Sequence, residues 1–138
     1  MTDARDRLAH ADHGVLSTLH PTRGVDSVPV CFVVVDDLVG VPIDTVKRKR
    51  STRLGRLVNL EADPRATLLV EHWDPDDWSR LWWVRASLVH TEVDADAEAD
   101  LKRRLAEKHS QYADGGIESV LALHIVDLRG WSASDRGS

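Results

Sequence analysis

Lys47, Arg48, Lys49, Arg50, Arg53 and Arg56 place six cations within ten residues, with no acid among them. Arg53 and Arg56 stand three apart, so on a helix they share a face and can point at one anion. Arginine suits that task because its planar donors bind two phosphate oxygens at once. Lys47 and Lys49 would add charge from the preceding loop, close to the free N–H groups of a helix N-terminus. A solvated basic turn that merely promotes solubility is the plain alternative. The rest of the chain carries 12 basic against 23 acidic side chains, within a net charge of -5. One basic segment on an acidic body argues against general nucleic-acid binding, which spreads positive charge over a face, and suits a small polyanionic ligand.

Other chemistry is poorly supported. His10 and His13 lie three apart beside Asp12, but two nitrogens without a second ligand cluster do not make a zinc site. His72, His90 and His124 are scattered singly. The one cysteine, Cys31, can form neither an internal disulfide nor a thiolate metal site, and it sits in an apolar run where a thiol is usually inert. No Gly-x-Ser-x-Gly elbow, Walker loop or dinucleotide fingerprint occurs. Four of the five tryptophans, Trp73, Trp78, Trp82 and Trp83, fall within eleven residues. Neighbours on a strand point to opposite faces, so Trp82 and Trp83 cannot both enter one core; one is left for a subunit interface or an aromatic ligand.

The elements that must position these groups follow from period and punctuation. The 138 residues, 42% apolar and 30% charged, suit a single domain spanning 1–138. Without a long apolar run or signal-like start, the chain reads as soluble and cytoplasmic. Residues 3–12 form a short amphipathic helix with Asp3 as N-cap and Gly14 as stop, expected to act as a lid outside the core. Val15 to Leu19, a Pro21–Gly24 turn and a long strand from Val25 to Val35 make a hairpin. Asp36–Asp37 turns into a third strand, Leu38 to Ile43. Helical spacing returns from Thr52 to Ala62 and ends at Asp63–Pro64. Ala66 to Glu71 and Leu81 to Val93 are further strands, separated by an acidic, aromatic loop. Residues 96–109 form the longest helix, with Leu101 and Leu105 inward. Val120 to Leu128 closes the chain, Leu121, Leu123 and Ile125 facing one way and Ala122 and His124 the other. Six strands and three helices, with strands following one another directly, define an α+β protein on an antiparallel sheet, and closure into a small barrel would protect its edges.

With the helix end Arg56-Leu57-Val58-Asn59-Leu60-Glu61-Ala62-Asp63-Pro64-Arg65 in that order of elements, the chain resembles the pyridoxamine 5'-phosphate oxidase-like split β-barrel superfamily. The resemblance covers about residues 5–130, and its most diagnostic piece is Asn-Leu-x-x-Asp-Pro-Arg. The segment Asp77-Trp78-Ser79-Arg80-Leu81-Trp82-Trp83-Val84-Arg85 looks like the actinobacterial branch that uses the deazaflavin coenzyme F420 in place of FMN. The resemblance implies a homodimer of six-stranded split barrels with cofactor grooves across the interface. It implies that Arg53 and Arg56 hold the cofactor phosphate, Arg56 standing where relatives often carry Lys. It further implies that Lys47 and Lys49 reach the phosphate or the polyglutamate tail, that Val28, Pro29 and Val30 line the ring pocket, and that Trp78 contacts the cofactor. The implied activity is that of an oxidoreductase passing hydride from reduced F420 to a small unsaturated or heterocyclic substrate. An FMN-dependent oxidase or reductase and a non-catalytic cofactor carrier are the alternatives. The cofactor would supply the chemistry, which accounts for the lack of a catalytic triad.

Overall fold

The computed structural model describes residues 3–44 and 55–134. In chain order they form α1 (Ala4–His10), β1 (His13–His20), β2 (Gly24–Cys31), β3 (Val33–Val35), β4 (Leu38–Asp44), α2 (Gly55–Ala62), β5 (Arg65–His72), β6 (Trp82–Thr91), α3 (Ala95–Lys108) and β7 (Ile117–Ser132). Short 3-10 turns at Trp78–Arg80 and Ser110–Tyr112 precede β6 and β7. None of the described helices is long and apolar enough to cross a membrane.

The helices begin where local capping demands. Asp3 accepts from the Asp6 N–H at 2.8 Å at the start of α1, and Asp94 accepts from the Ala97 N–H at 2.8 Å at the start of α3. Each satisfies a first-turn donor that has no partner within its helix. α1 stops at His10 because Ala11 is already extended, so Gly14 is not its terminator. Gly14 lies inside β1, where an added Cβ would stand 2.7 Å from the Leu69 carbonyl oxygen. The site needs a residue with no side chain. The expectation of a lid outside the core is also corrected: Leu8 is wholly buried in the main core, and α1 closes one end of it.

Where the sequence pattern reads one long strand over residues 25–35, the chain breaks at Phe32 into β2 and β3. The described sheet therefore has seven strands, all antiparallel, in the order β2-β1-β5-β6-β7-β4-β3. β2 and β3 are its two edges, yet only Phe32 separates them in sequence. The sheet must curl until its edges nearly meet, and the wholly buried ring of Phe32 anchors the corner. Pairing runs from His13 opposite Cys31 on one edge to Val35 opposite Leu38 on the other. No ladder joins β2 to β4 across the remaining gap. Pro29 in β2 and Pro42 in β4 each lack the N–H that such a ladder would use. The result is a barrel left open along one seam.

Two apolar clusters fill the structure. The barrel interior is centred on residues such as Leu16, Phe32, Leu68, Val84 and Leu123. A second cluster joins Leu101 and Leu105 of α3 to Val33, Val120 and Ala122. Ala122 does turn away from Leu121 and Leu123, but it is buried under α3, so this part of β7 is covered on both faces.

Candidate functional site

The open seam forms a cleft of about 360 Å³, bordered by Val28, Pro29, Val30 and Cys31 of β2 and by Val41 and Pro42 of β4. His13, Arg56, Gln111 and Tyr112 complete its lining. As an edge strand, β2 pairs only with β1, so half of its backbone polar groups are left to face the seam. The half-buried Arg56 brings a guanidinium to the same space. Strand edge and cation thus come together from segments about thirty residues apart in sequence.

Four of the residues expected to bind a cofactor, Val28, Pro29, Val30 and Arg56, meet in this cleft. Lys47, Lys49 and Arg53 lie outside the described residues. Trp78 is not among the cleft's lining residues. It is exposed on its turn, with its ring tilted against Trp73 at 5.4 Å between centroids. Trp82 and Trp83 do take opposite sides of β6. Trp82 packs against the barrel core, whereas Trp83 is opposite Trp131 on β7 and lies under the Arg85 guanidinium.

Asn59, one helical turn beyond Arg56, explains how the cation is held. Its buried side-chain amide donates to Thr18 Oγ1 and to Asp26 Oδ2, both at 2.9 Å. This ties α2 to β1 and β2 together. Beside it Leu60 enters the core, and the Asp63 N–H donates to the Asn59 carbonyl at 2.8 Å to end the helix. The Asp63 carboxylate then pairs with Arg65 at 2.7 Å, and the Pro64 carbonyl accepts from the His90 N–H at 2.7 Å. The Asn-Leu-x-x-Asp-Pro-Arg stretch is therefore a mount that fixes α2 against the sheet.

The same contacts set local electrostatics. The Asn59 amide, followed by the Arg23 guanidinium, holds the Asp26 carboxyl below the usual carboxylate range. The Arg65 guanidinium and backbone N–H lower that of Asp63 to about 2. Burial pushes the Lys108 ammonium down, opposed by the charges of Asp12 and Cys31. Lys108 lies over the Phe32 ring, 4.3 Å from its centroid, and donates to the Ala9 carbonyl at 3.2 Å. His109 Nε2 is 3.0 Å from the Phe32 carbonyl oxygen. Both contacts clamp the end of α3 to the corner where the barrel opens.

Sequence reading missed six cleft residues: His13, Cys31, Val41, Pro42, Gln111 and Tyr112. His13 and Cys31 are direct cross-strand partners, a relation available once the hairpin register is counted back from the Pro21–Gly24 turn. Gln111 and Tyr112 arrive on the turn after α3, far from β2 in sequence, and no local signal marks them.

No family model and no curated protein matches this chain. Solved structures do. A heme-binding protein from Mycobacterium smegmatis superposes with a TM-score of 0.77 at 18% identity, covering 98% of this chain and 54% of that one. This chain thus spans about half the length of that protein. A conserved hypothetical protein from Mycobacterium tuberculosis gives 0.74 at 20% identity, covering 96% and 86%. An F420 reductase gives 0.59 at 15% identity, covering 94% and 98%. Proteins described as FMN-binding and as pyridoxamine 5'-phosphate oxidase share the arrangement at 16% and 12% identity. The chain shares the fold of these proteins, with seven strands among the described residues and one open seam.

Proposed function

We propose that the seam cleft binds a flavin-type coenzyme, the deazaflavin F420, and that the protein is an oxidoreductase acting on a small electrophilic substrate, unsaturated or heterocyclic. The observation that carries this reading is the convergence of Arg56 with the free edge of Val28, Pro29 and Val30. The donor set fits such a group: a guanidinium for a phosphate, and an apolar strand edge with backbone donors and acceptors for a flat heterocycle. When bound, the coenzyme supplies the hydride. The chain's own part is to grip the phosphate through Arg56, to orient the ring along β2, and to exclude water with Val28, Val30 and Tyr112. The likeness to an F420 reductase and an FMN-binding protein supports a cofactor of this class. Arg53, Lys47 and Lys49 would add positive charge for a phosphate or a polyglutamate tail.

The protein works as a homodimer in this reading. Its outer sheet face supports this: Val15 and Leu69 lie side by side in register on β1 and β5, and Val25 of β2 and Val126 and Trp131 of β7 are exposed as well. Large apolar side chains on one sheet face are what a self-complementary interface buries. Light scattering should give twice the monomer mass; a stable monomer that still binds coenzyme would remove the dimer from the proposal.

Tryptophan quenching by F420 and by FMN at low salt tests the coenzyme. F420 should bind at least about tenfold more tightly, roughly 1.4 kcal/mol. Equal affinities would replace the deazaflavin with FMN, and tight binding with no turnover of any enone or quinone would make the protein a carrier.

A further inference from the structure

At the Trp82 end of β6, a depression of about 480 Å³ is lined by Arg7, His72, Ser79, Arg80, Trp82, Ser132 and Ser134. It shares no lining residue with the seam cleft. Arg7 comes from the last turn of α1, Arg80 from the 3-10 turn before β6, and the serines from the end of β7. Three distant segments thus bring two guanidiniums to one place.

Arg7 dominates its chemistry. The guanidinium lies over the Trp82 ring, 5.0 Å from its centroid. His72, the cross-strand partner of Trp82, stacks on the same ring at 6.1 Å with an interplanar angle of 20°. Among the described residues Arg7 has no carboxylate partner. A half-buried arginine held flat against an indole has already lost much of its side-chain freedom, so little more is lost when its donor edge engages a ligand. Arg80 is different, because Asp74 lies 3.7 Å from its Nε and offsets its charge. The Ser79 hydroxyl is committed to Asp77 at 2.6 Å. Ser132 and Ser134 share one hydrogen bond between their hydroxyls at 3.0 Å, which leaves one hydroxyl proton free to donate. The facing groups therefore amount to one uncompensated cation, one partly compensated cation and a spare hydroxyl donor.

We propose that this depression binds a small oxyanion, a carboxylate or a phosphate, with Arg7 as the principal contact and Arg80 and the Ser132–Ser134 pair completing the donor set. The planar fork of Arg7 takes two oxygens of one oxyanion, and the apolar indole behind it excludes water from the contact. The ligand is either the free ion or an oxyanion group carried on a larger organic molecule.

The test follows the indole N–H signal of Trp82, assigned with Trp82→Phe, in ¹H–¹⁵N spectra. Inorganic phosphate and acetate are titrated in, with chloride holding the ionic strength constant. The expected result is a saturable shift, with affinity weakened about tenfold in Arg7→Gln by loss of a charge-assisted pair and less in Arg7→Lys, which keeps charge but not the fork. Arg56→Gln should leave the shift unchanged. Phenyl phosphate binding more tightly than phosphate assigns the oxyanion to an organic ligand, and equal affinity assigns the free ion. A shift that never saturates, equal affinity in Arg7→Gln, or loss of the shift in Arg56→Gln would overturn the proposal. If Arg7→Gln does not fold, the exposed variants Arg80→Gln and Ser134→Ala carry the test, and unchanged affinity in both is equally decisive against it.

Discussion

The Asn59 side-chain amide donates to the Asp26 carboxylate across 2.9 Å, tying α2 to the edge strand β2. Asp26 belongs to the same strand as Val28, Pro29 and Val30, and Asn59 to the same helix as Arg56. One hydrogen bond therefore joins the helix that carries Arg56 to the strand that forms one border of the cleft. The second bond from the same nitrogen, to Thr18, is buried, so the Thr18 hydroxyl cannot turn to water if the amide is removed, whereas the partly exposed Asp26 keeps its pair with Arg23.

Asn59→Ala should destabilise the fold by about 1–3 kcal/mol, the cost of leaving the buried Thr18 hydroxyl without its donor. Urea unfolding at neutral pH measures it. A loss no larger than that of an exposed helix substitution would mean that packing of Leu60 alone holds α2 in place.

Acid should weaken the fold through Asp26 and Asp63. Both carboxyls are held below their ordinary range in the folded state, Asp63 at about 2. Between the unfolded carboxylate pKa, near ~3.9, and these lower values, the unfolded chain binds more protons. The stabilisation is thus fully present above the unfolded value and is lost as pH falls toward about 2. Unfolding midpoints measured from pH 5 to pH 2 should decline, and Asp63→Asn should flatten part of that decline. An unchanged slope in the variant would show that its pair with Arg65 contributes nothing.

Replacing Arg53 and Arg56 together by Glu should weaken coenzyme binding by about 2–4 kcal/mol, because an attractive phosphate contact becomes repulsive. The fold should survive the change at Arg56, which belongs to neither apolar cluster. Coenzyme titration beside thermal unfolding checks both parts. A folded double variant with unaltered affinity would return these arginines to a solubility role.

Neutralising Lys47, Arg48, Lys49 and Arg50 should narrow the preference for F420 over FMN without abolishing binding. Added salt should narrow it too, because charges in contact with a flexible polyanionic tail are screened. Affinities for both coenzymes at low and high salt decide this, and a preference indifferent to both changes would remove the tail contact.

Gly14→Ala should cost about 1–3 kcal/mol, the usual range for overpacking a tight site. Its Cβ would press on the Leu69 carbonyl oxygen at 2.7 Å, which cannot move without shifting β5, and on the Val70 side chain at 2.9 Å. Thermal unfolding tests it, and a fully stable variant would show that the two strands can separate freely here.

What the sequence determined by itself is local. Asp3 can begin a helix because its own carboxylate reaches a backbone N–H three residues on, and Leu101 and Leu105 meet because a helix repeats every 3.6 residues. The Pro21–Gly24 turn, the end of α2 at Asp63–Pro64 and the grouping of cations before and within α2 are likewise readable from neighbours in the chain. Tertiary structure decided the rest, because each remaining feature depends on partners far away in sequence. Residues 25–35 have uniform strand character, and only competition between β1 and β4 for that run breaks it at Phe32. Leu8 looks like one apolar residue on a polar helix until the end of the barrel is there to cover it. The cleft exists because two sheet edges that are consecutive in the chain curl toward each other without pairing. That near-closure brings Arg56 and Tyr112 to β2, and no spacing within any one segment encodes it.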